Sequence, residues 1–172
     1  MPKQTDLAYL AGIIDGEGWV GIKRGKAYAC QGRKSPSYNA GIQVRMVDEG
    51  AIRFLAEKLG GWYYKERPHC NNGRPLFCYQ ASDRAAEGIL KKLRPFLRVK
   101  ARQCDVVLRL RTLQASGHKH RTRKTGTRSF RHWTGKVIRL PNLAFSEAYL
   151  SALDSLWMEC RRLNGLARFF QK

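Results

Sequence analysis

The chain lacks the features that mark several large classes of protein. Its five cysteines form no C-x-x-C pair, and its cysteines and histidines complete no zinc-ligand spacing, so neither a disulfide framework nor structural zinc is expected. No apolar run approaches the roughly 20 residues that a membrane helix needs. The first apolar stretch contains Asp6 and Asp15, which fits no secretory signal. These absences predict an intracellular, soluble protein without a membrane partner.

Acidic residues are also scarce, since 13 Asp+Glu stand against 33 Lys+Arg and the formal net charge is +20 at pH 7. Such an excess repels itself in a compact chain unless a polyanion balances it. Nucleic acid is the commonest polyanion, and neutralised phosphates release condensed counterions. The sequence shows no basic amphipathic helix for an anionic membrane, and a solvated surface without a partner does not account for an excess of this size. The charge therefore predicts a nucleic-acid-binding protein.

The apolar periodicity of residues 5–114 predicts helix, hairpin, helix, hairpin and two further helices. The predicted helices are 5–16 with Thr5 as its cap, one started by Asp48 and stopped by Gly60-Gly61, one capped by Ser82 or Asp83 that ends before Pro95, and 100–114. The predicted strands are 19–30, 38–46, 62–67 and 76–81. This order is typical of an α+β fold, in which helices cover one face of an antiparallel sheet.

The rest of the chain holds a dense run of positive charge. Residues 117–139 contain eight Lys or Arg and no acid, and their weak periodicity predicts a mostly irregular basic loop at about 115–140. A last helix is expected from about Ser146, its cap, to Asn164, ended by Asn164-Gly165. One compact core is the default at this length. Residues 1–172 are therefore interpreted as a single domain with its core at about 5–114.

The stretch from Leu10 to Gly18, LAGIIDGEG, contains two glycines inside a predicted helix. Gly12 and Gly16 are four residues apart, so they lie on one side of the helix, on a face shared with Tyr9 and Ile13. Each glycine costs a helix roughly 0.5–1 kcal/mol relative to alanine. The best reason for two of them is the close approach of another helix.

The same helix ends with two carboxylates, Asp15 and Glu17. A helix C-terminus already presents unpaired carbonyls and negative partial charge, so added acids are unfavourable there. A divalent cation would resolve the conflict, because Mg²⁺ prefers carboxylate, carbonyl and water oxygens. From the residues alone, a metal site and a solvent-facing acidic turn both remain open.

Leu10 to Gly18 resembles the LAGLIDADG motif of homing endonucleases. The matching residues are Leu10, Ala11, Gly12, Ile14, Asp15 and Gly18, and Ile13, Gly16 and Glu17 are conservative variants. The order of elements over the first 114 residues fits the family's αββαββα core, and RPFLRVKARQ, from Arg94 to Gln103, is similar to the segment before the family's late helix. The resemblance implies an α+β fold with a saddle-shaped antiparallel sheet and additional C-terminal helices.

The resemblance also implies roles for particular residues. Glu17 would be the catalytic, metal-binding acid, the Gly16 carbonyl would help to hold the ion, and Lys100 would stabilise charge near the scissile phosphate. Asp15 would be structural, at the helix end. The implied cofactor is Mg²⁺, and Mn²⁺ or Ca²⁺ would fit the same sites.

Only one such motif is present, so the resemblance implies a homodimer with Tyr9, Gly12, Ile13 and Gly16 at the interface. A twofold axis would place one Glu17 near each DNA strand. The implied activity is a site-specific double-strand break at a long, roughly palindromic DNA site, leaving 3′ overhangs, as in intron homing.

One stretch departs from the family's pattern. Members often carry a glutamine and a basic residue between the second strand and the next helix. In VRMVDEGAIR, Met46 or Val47 stands at the glutamine position, and Arg45 or Arg53 would supply the basic residue.

Two-stranded ribbons fit the major groove of DNA, where alternate side chains reach base edges. Candidate DNA contacts in the predicted hairpins are Lys23, Lys26, Tyr28, Arg33, Lys34, Tyr38, Gln43, Arg45, Lys65, Arg67, Arg74 and Gln80. Arg102 is a further candidate, and the basic loop, expected to clamp phosphates rather than read bases, adds Lys119, Arg121, Arg123, Lys124 and Arg128. Some of these side chains are expected only to face solvent.

Two other functions are compatible with parts of the sequence. An intron RNA maturase or DNA-binding protein of the same fold would use the basic surface without cleavage. A basic ribosome-associated protein would account for the charge but not for the glycine-lined acidic motif. Glu17 together with Lys100 favours the endonuclease, with intron RNA as an additional candidate partner.

Overall fold

The computed structural model describes residues 2–26, 35–67, 75–131 and 134–167, with the backbone alone for 122–131, 138–143 and 166–167. The helices in this part of the chain are α1 (Gln4–Glu17), α2 (Glu49–Leu59), α3 (Asp83–Leu93), α4 (Ala101–Ala115) and α5 (Glu147–Ala167). The strands are β1 (Gly18–Gly25), β2 (Ser37–Met46), β3 (Trp62–Lys65), β4 (Phe77–Ser82), β5 (Arg121–Arg131) and β6 (Val137–Phe145). The predicted α+β class and the predicted order of elements up to α4 are confirmed.

The central sheet contains four antiparallel strands in the order β1-β2-β4-β3. Gly18 at the start of β1 lies opposite Val44 of β2, and Gln43 of β2 lies opposite Gln80 of β4. Gln80 in turn lies opposite Trp62 of β3. Since successive side chains of a strand point to opposite faces, this register assigns each residue to one face of the sheet.

The hydrophobic core lies between one face of this sheet and the helices. Side chains at alternate positions of the strands are buried there, and the fully buried ones include Val20, Ile42, Val44 and Tyr79. The helices contribute stripes of buried apolar residues, among them Leu10, Ala11, Ile14, Ile52, Leu55, Leu90, Leu93, Val107 and Leu110. Each fully buried residue of this size contributes roughly 1.5–3 kcal/mol, so the stripe on α1 fixes the orientation of that helix.

Two of the predicted helix starts have different outcomes. The Asp48 carboxylate accepts a hydrogen bond from the Ala51 N–H at 3.0 Å, which confirms Asp48 as the cap of α2. The prediction that Thr5 caps α1 is wrong, because the helix begins one residue earlier. The Lys3 carbonyl accepts from the Leu7 N–H at 3.1 Å, so backbone geometry starts α1 without a side-chain cap.

Ser82 occupies the cap position of α3, but its side chain makes no capping hydrogen bond. Asp83, the other candidate, points to the sheet instead. Its carboxylate accepts from the Ala40 N–H at 3.2 Å and from the Asn39 side-chain amide at 3.0 Å. These bonds join the start of α3 to β2.

The prediction of a mostly irregular basic loop at about 115–140 is wrong, because this segment contains regular secondary structure. A 3₁₀ helix spans Gly117–His120, and β5 then pairs with β6 from Arg121 opposite Phe145 to Arg131 opposite Val137. Apolar periodicity missed this hairpin because such a ribbon is held by backbone hydrogen bonds and needs no buried face. Threonine recurs in β5, and β-branched residues favour extended backbone.

The last helix packs against α4 and β1. Ser146 Oγ accepts from the Tyr149 N–H at 3.3 Å, so the predicted cap is confirmed. The prediction that the helix ends at Asn164-Gly165 is wrong, since α5 runs to Ala167. Asn164 donates its side-chain amide to the Val20 carbonyl at 3.0 Å, and this contact holds the turn helical where the sequence suggested a stop.

None of the helices described above combines the length and the apolar character that crossing a bilayer requires.

Candidate functional site

The C-terminus of α1 passes into β1 without a loop. The Gly18 N–H donates to the Ile14 carbonyl, and a Cβ placed on Gly18 would lie 2.6 Å from that oxygen. Only glycine therefore permits this abrupt change from helix to strand. As a result, Asp15 and Glu17 are held at a fixed point beside the end of the sheet.

The Asp15 carboxylate is fully engaged by the segment that begins α4. Oδ2 accepts from the N–H groups of Arg98 at 2.6 Å and Val99 at 3.1 Å, and Oδ1 accepts from the Lys100 N–H at 2.8 Å. Lys100 is the N-cap residue of α4, and Arg98 and Val99 lie just before it, so these N–H groups have no partner within the helix. Asp15 thus joins α1 to the start of α4, and most of its acceptor capacity is used there.

Lys100 is buried directly beside this clamp, with 8% of its surface exposed. Its Nζ donates to the Asp15 backbone carbonyl. Burial lowers the pKa of the Lys100 ammonium, and the Asp15 and Glu17 carboxylates act in the opposite direction. The ammonium therefore lies within electrostatic reach of both acids.

Glu17 is in the opposite situation to Asp15, because its side chain is exposed. Within the described part of the chain, no hydrogen bond or ion pair engages its carboxylate. A carboxylate in this position remains available for a cation.

Glu17 opens onto a cleft of about 720 Å³ between the α1–β1 junction, α4 and the end of α5. Gly16 and Lys100 line the same cleft, so the structure brings together the residues expected to share one site. The wall contributed by α5 consists of Trp157, Cys160, Arg161, Asn164 and Gly165. None of these five was a candidate from the sequence.

The donor set of this cleft fits a partly hydrated divalent cation. Among the described residues, no three His, Cys, Asp or Glu side chains group together as a metal site. One carboxylate from Glu17 and one backbone carbonyl from Gly16 cannot complete an octahedral shell. Mg²⁺, however, commonly takes only one or two carboxylates and fills its shell with water and phosphate oxygens.

The sheet face turned away from the helices carries polar and aromatic side chains. By the register, Lys23, Gln43, Arg45 and Gln80 share this face. Four of the predicted DNA contacts are therefore grouped together. Sequence reasoning missed Trp19, Asn39, Trp62 and Tyr64, which lie on the same face and which the alternation from Lys23 and Gln43 could have identified.

The Trp19 indole lies flat across β1 and β2. A Cβ on Gly21 would be 2.4 Å from the indole, and a Cβ on Gly41 would be 2.9 Å from it. The two glycines thus make room for the ring against the backbone, and the Lys23 ammonium lies 5.5 Å from its centre. On β3, the exposed Trp62 stacks on Tyr64 with ring centres 5.2 Å apart. The open face therefore has an aromatic surface on both of its outer strands.

Hydrogen bonds orient the central side chains of this face. Gln80 Nε2 donates to the Tyr64 hydroxyl at 3.3 Å, and Gln43 Nε2 lies 3.2 Å from the Cys78 sulfur. Arg45 donates from Nε to Glu66 at 2.8 Å, and a second guanidinium nitrogen contacts the same carboxylate. Arg45 would have to share or release Glu66 in order to contact a base.

The architecture is similar to that of several solved homing endonucleases. The archaeal intron-encoded I-Vdi141I, complexed with DNA, aligns over 94% of this chain and 86% of its own, with a TM-score of 0.64 and 16% identity. I-TnaI aligns over 98% of both chains, with a TM-score of 0.57 and 13% identity. I-CvuI, in complex with its target, aligns over 68% of this chain and 71% of its own, with a TM-score of 0.55 and 22% identity. No protein-family profile and no curated protein matches the sequence.

The chain has the LAGLIDADG endonuclease fold. The resemblance seen in LAGIIDGEG is thus confirmed at the level of the fold, and the motif forms α1 and its junction with β1. The likeness to I-Vdi141I and I-TnaI extends over nearly the whole chain, and so includes the region of the C-terminal hairpin and α5.

One side of the motif helix is open in the single chain. Leu10, Ala11 and Ile14 face the core, whereas Tyr9 is 57% exposed. Among the described residues, a Cβ added at Gly12 or Gly16 would meet no atom within 4 Å. Contacts within this part of the chain therefore do not explain the two glycines. Ile13, on the same predicted face, is partly buried and packs against the core.

The structure places the residues at the departure from the LAGLIDADG pattern in different environments. Met46 packs against the core, and Val47 is 62% exposed. Arg53 is exposed on α2, with its Nε 3.9 Å from the Glu57 carboxylate. Neither Met46 nor Val47 can replace the hydrogen-bonding capacity of a glutamine.

Two predicted DNA contacts lie on the helix-facing side of the LAGLIDADG sheet. Tyr38 is 5% exposed and donates its hydroxyl to Asp154 of α5 at 2.7 Å, so its prediction as a DNA contact is wrong. Tyr38 was predicted as a contact because it lies in a strand of the hairpin, but the alternation of that strand places its side chain on the core-facing side of the sheet. Lys65 lies opposite Phe77 on this side, with its ammonium 5.9 Å from the Phe77 ring centre, but it is exposed and stays a predicted contact.

The other predicted contacts belong to three groups. The exposed ones are Lys26, Arg67, Arg102, Lys119 and Arg121. The structure gives only the strand backbone for Arg123, Lys124 and Arg128. Those outside the described residues are Tyr28, Arg33, Lys34 and Arg74.

Proposed function

We propose that this chain is a site-specific endonuclease that cuts double-stranded DNA as a homodimer, with a divalent metal ion. The observation that carries the proposal is the cleft of the LAGLIDADG fold in which Glu17 lies with the buried Lys100; Glu17 is exposed and has no partner among the described residues. I-Vdi141I and I-CvuI were each solved in complex with DNA, which supports duplex DNA as the substrate.

The metal would be held by the Glu17 carboxylate and the Gly16 carbonyl. Mg²⁺ is the proposed ion, and complexes of I-CvuI in the presence of Mg or Ca support a divalent cation in this fold. Such an ion supplies electrostatic stabilisation of the negative charge on a phosphate during displacement. Asp15 would not be a ligand, because both of its oxygens accept backbone hydrogen bonds.

Lys100 would act on the phosphate directly. A lysine has three N–H donors, and one of them is used by the Asp15 carbonyl. The remaining donors are available to a phosphate oxygen in the cleft. Because the Asp15 carboxylate also binds the Lys100 backbone, the ammonium is held in place before DNA binds. A charge that is already in position stabilises a transition state without a cost of reorganisation.

The open sheet face would enter the major groove. Base contacts are proposed for Lys23, Gln43, Arg45 and Gln80, since these side chains pair well with guanine and adenine edges. Phosphate contacts are proposed for the remaining basic candidates, including those of the β5–β6 hairpin. Tyr38 is excluded from this set because it is buried.

The dimer would form through the open side of α1. Tyr9, Gly12, Ile13 and Gly16 would meet the same residues of a second copy, because glycines four apart allow two helix backbones to approach closely. The twofold axis would place one cleft at each strand of a roughly palindromic site, and the two cuts would leave 3′ overhangs.

The decisive experiment compares wild-type protein with Glu17→Gln. We expect the amide to abolish detectable cleavage of a randomised duplex library in Mg²⁺, while binding to DNA stays within about threefold, because one charge is lost without a change of shape. The library reports activity, target site and symmetry together.

Glu57→Gln is the matched control, since Glu57 is an exposed carboxylate of α2 outside the cleft. It should cut like the wild type. Undiminished cutting by Glu17→Gln would refute the assignment. Binding without any cutting by the wild type would instead favour the non-cleaving member of the same fold.

A further inference from the structure

The last turns of α5 bring a second cation to the cleft that contains Glu17 and Lys100. We infer that Arg161 is a phosphate-binding residue of this cleft and that α5 completes the cleavage site. The inference rests on the proposed endonuclease function and assigns a role to a helix that lies outside the αββαββα core. Four observations support it.

The first observation is that α5 is firmly attached at this point. The Asn164 side-chain amide donates to the Val20 carbonyl at 3.0 Å. Val20 belongs to β1, the edge strand of the sheet. Cys160 is 1% exposed and Leu163 is 7% exposed, so the helix is also packed on both sides of Arg161 along the chain. A side chain on this turn therefore has a defined position relative to Glu17.

The second observation is that the Arg161 guanidinium is held but not neutralised. It lies 5.6 Å from the ring centre of Trp157, one turn earlier on α5. Among the described residues, no carboxylate pairs with it. The nearby acids of the same helix are used elsewhere, since Asp154 binds Arg24 and Glu159 binds Arg109.

The third observation is the charge of the cleft lining. Of the described residues that line it, Glu17 is the single acid, whereas Lys100 and Arg161 are both cationic. If Glu17 binds a divalent cation, the lining becomes strongly positive and favours an anion. The planar guanidinium offers paired N–H donors that match two phosphate oxygens, which a lysine cannot do.

The fourth observation is the composition of the walls. Trp19 and Trp157 line the cleft beside the charges. Arg161 and Glu17 are both exposed, so the cleft is open to a phosphate of the DNA backbone. The Trp157 ring offers the guanidinium a surface to stack on, which leaves its N–H edge free to donate.

The test uses Arg161→Ala in full-length protein, with Arg162→Ala as the matched control. Arg162 is adjacent, exposed and equally charged, but it does not line the cleft. The probe is a duplex selected for binding by Glu17→Gln protein from a randomised pool, so that the binding assay does not depend on cleavage. Binding is measured over a range of salt concentrations in the Glu17→Gln background.

We expect Arg161→Ala to reduce the salt slope, log K against log salt, by about 0.9 for each protein copy bound. In the otherwise wild-type chain it should slow single-turnover cleavage about tenfold or more. Arg161→Lys should keep the slope, because it keeps the charge, and should cut faster than Arg161→Ala. Arg162→Ala should change neither quantity.

An unchanged salt slope for Arg161→Ala, or an equal fall for Arg162→Ala, would overturn the inference. Circular dichroism and thermal melts of each variant separate a lost contact from a lost fold, and Arg161→Gln provides a second neutral variant with a longer stem. If Glu17→Gln abolishes cutting while the Arg161 variants behave as wild type, the proposed function stands and this inference fails. If nothing cuts, the salt slopes still decide whether Arg161 contacts a phosphate.

Discussion

The two sides of the α1 C-terminus use the same functional group in opposite ways. On one side, Asp15 accepts three backbone hydrogen bonds from the start of α4. On the other side, Glu17 is exposed, and no partner engages it in the described part of the chain. Residues two apart on a helix do not face each other, so a spacing of two separates a structural carboxylate from an available one.

The same division runs along the whole helix. Leu10, Ala11 and Ile14 are fully buried and fix the helix on the sheet. Gly12 and Gly16 lie on the open side, where an added methyl group would meet no atom of the described segments within 4 Å. One side of α1 therefore serves the stability of the single chain, and the proposed dimer would use the other side. Three experiments can break or sharpen this comparison.

The largest effect is expected from exchanging the acids for amides, Asp15→Asn against Glu17→Gln. Asp15→Asn should lower the free energy of unfolding by about 2–4 kcal/mol, because charge-assisted hydrogen bonds contribute roughly 1.5–3 kcal/mol each and do not add fully. Glu17→Gln should change it by less than about 0.5 kcal/mol, as surface substitutions do. Urea unfolding measures both. An equal loss of free energy of unfolding in the two variants would contradict the distinction between a structural Asp15 and an available Glu17.

An intermediate effect is expected at Gly12. Gly12→Leu should weaken self-association at least tenfold, because a loss of about 1.4 kcal/mol of packing energy at the interface raises the dissociation constant tenfold. The free energy of unfolding of the single chain should rise by about 0.5–1 kcal/mol, because leucine has a higher helix propensity than glycine. Gly88→Leu is the matched control, because Gly88 is an exposed helical glycine of α3 that also meets nothing within 4 Å.

Sedimentation of the free and DNA-bound protein measures this effect. Gly88→Leu should gain similar stability and keep the dimer. A wild-type protein that is monomeric both free and on target DNA would contradict the proposed use of the open face.

The smallest effect is expected at Asp154, a second carboxylate engaged within the chain. A hydrogen bond from Tyr38 and then one from Arg24 lower the pKa of Asp154. Because its pKa is lowered, the Asp154 carboxylate stabilises the fold fully at pH values above its pKa in the unfolded chain, near 3.9. This contribution is lost as the pH falls through the lower pKa of the folded chain. The effect is small because both charged partners are partly exposed and solvent screens them.

Urea unfolding followed between about pH 5 and pH 2 measures it. Wild-type protein should lose more stability over this range than Asp154→Asn, because the variant has no carboxylate to protonate at this position. The fluorescence of the four tryptophans follows the same unfolding, and one of them, Trp157, has its ring centre 5.1 Å from the Arg24 guanidinium. Identical pH dependence in both proteins would show that this contact contributes nothing.

Much of the core could be predicted from local patterns. The apolar periods of α1 to α4, the Asp48 cap and the Gly60-Gly61 stop each express a preference that the surrounding structure also satisfies. The hairpin β5–β6 was missed because β5 carries charge and threonine, and because Pro141 and Asn142 interrupt the apolar residues of β6. Its pairing depends on backbone hydrogen bonds, which leave little trace in composition.

The candidate site was predictable only in part. Glu17, Gly16 and Lys100 were identifiable because they belong to two short stretches that resemble segments of the LAGLIDADG family. Arg161 carried no such signal, because it is one of 33 basic residues and lies 144 positions after Glu17. Only the packing of α5 against β1 brings it to the cleft.

The amino-acid sequence by itself determined the class of fold, the glycine-faced helix and the basic charge, because helix periodicity, strand alternation and net charge are properties of neighbouring residues and of sums. The tertiary structure alone decided which carboxylate is engaged, which strand residues face outward and which distant helix closes the cleft. Those outcomes depend on hydrogen bonds and packing between segments far apart in the chain, and no local pattern encodes such distances.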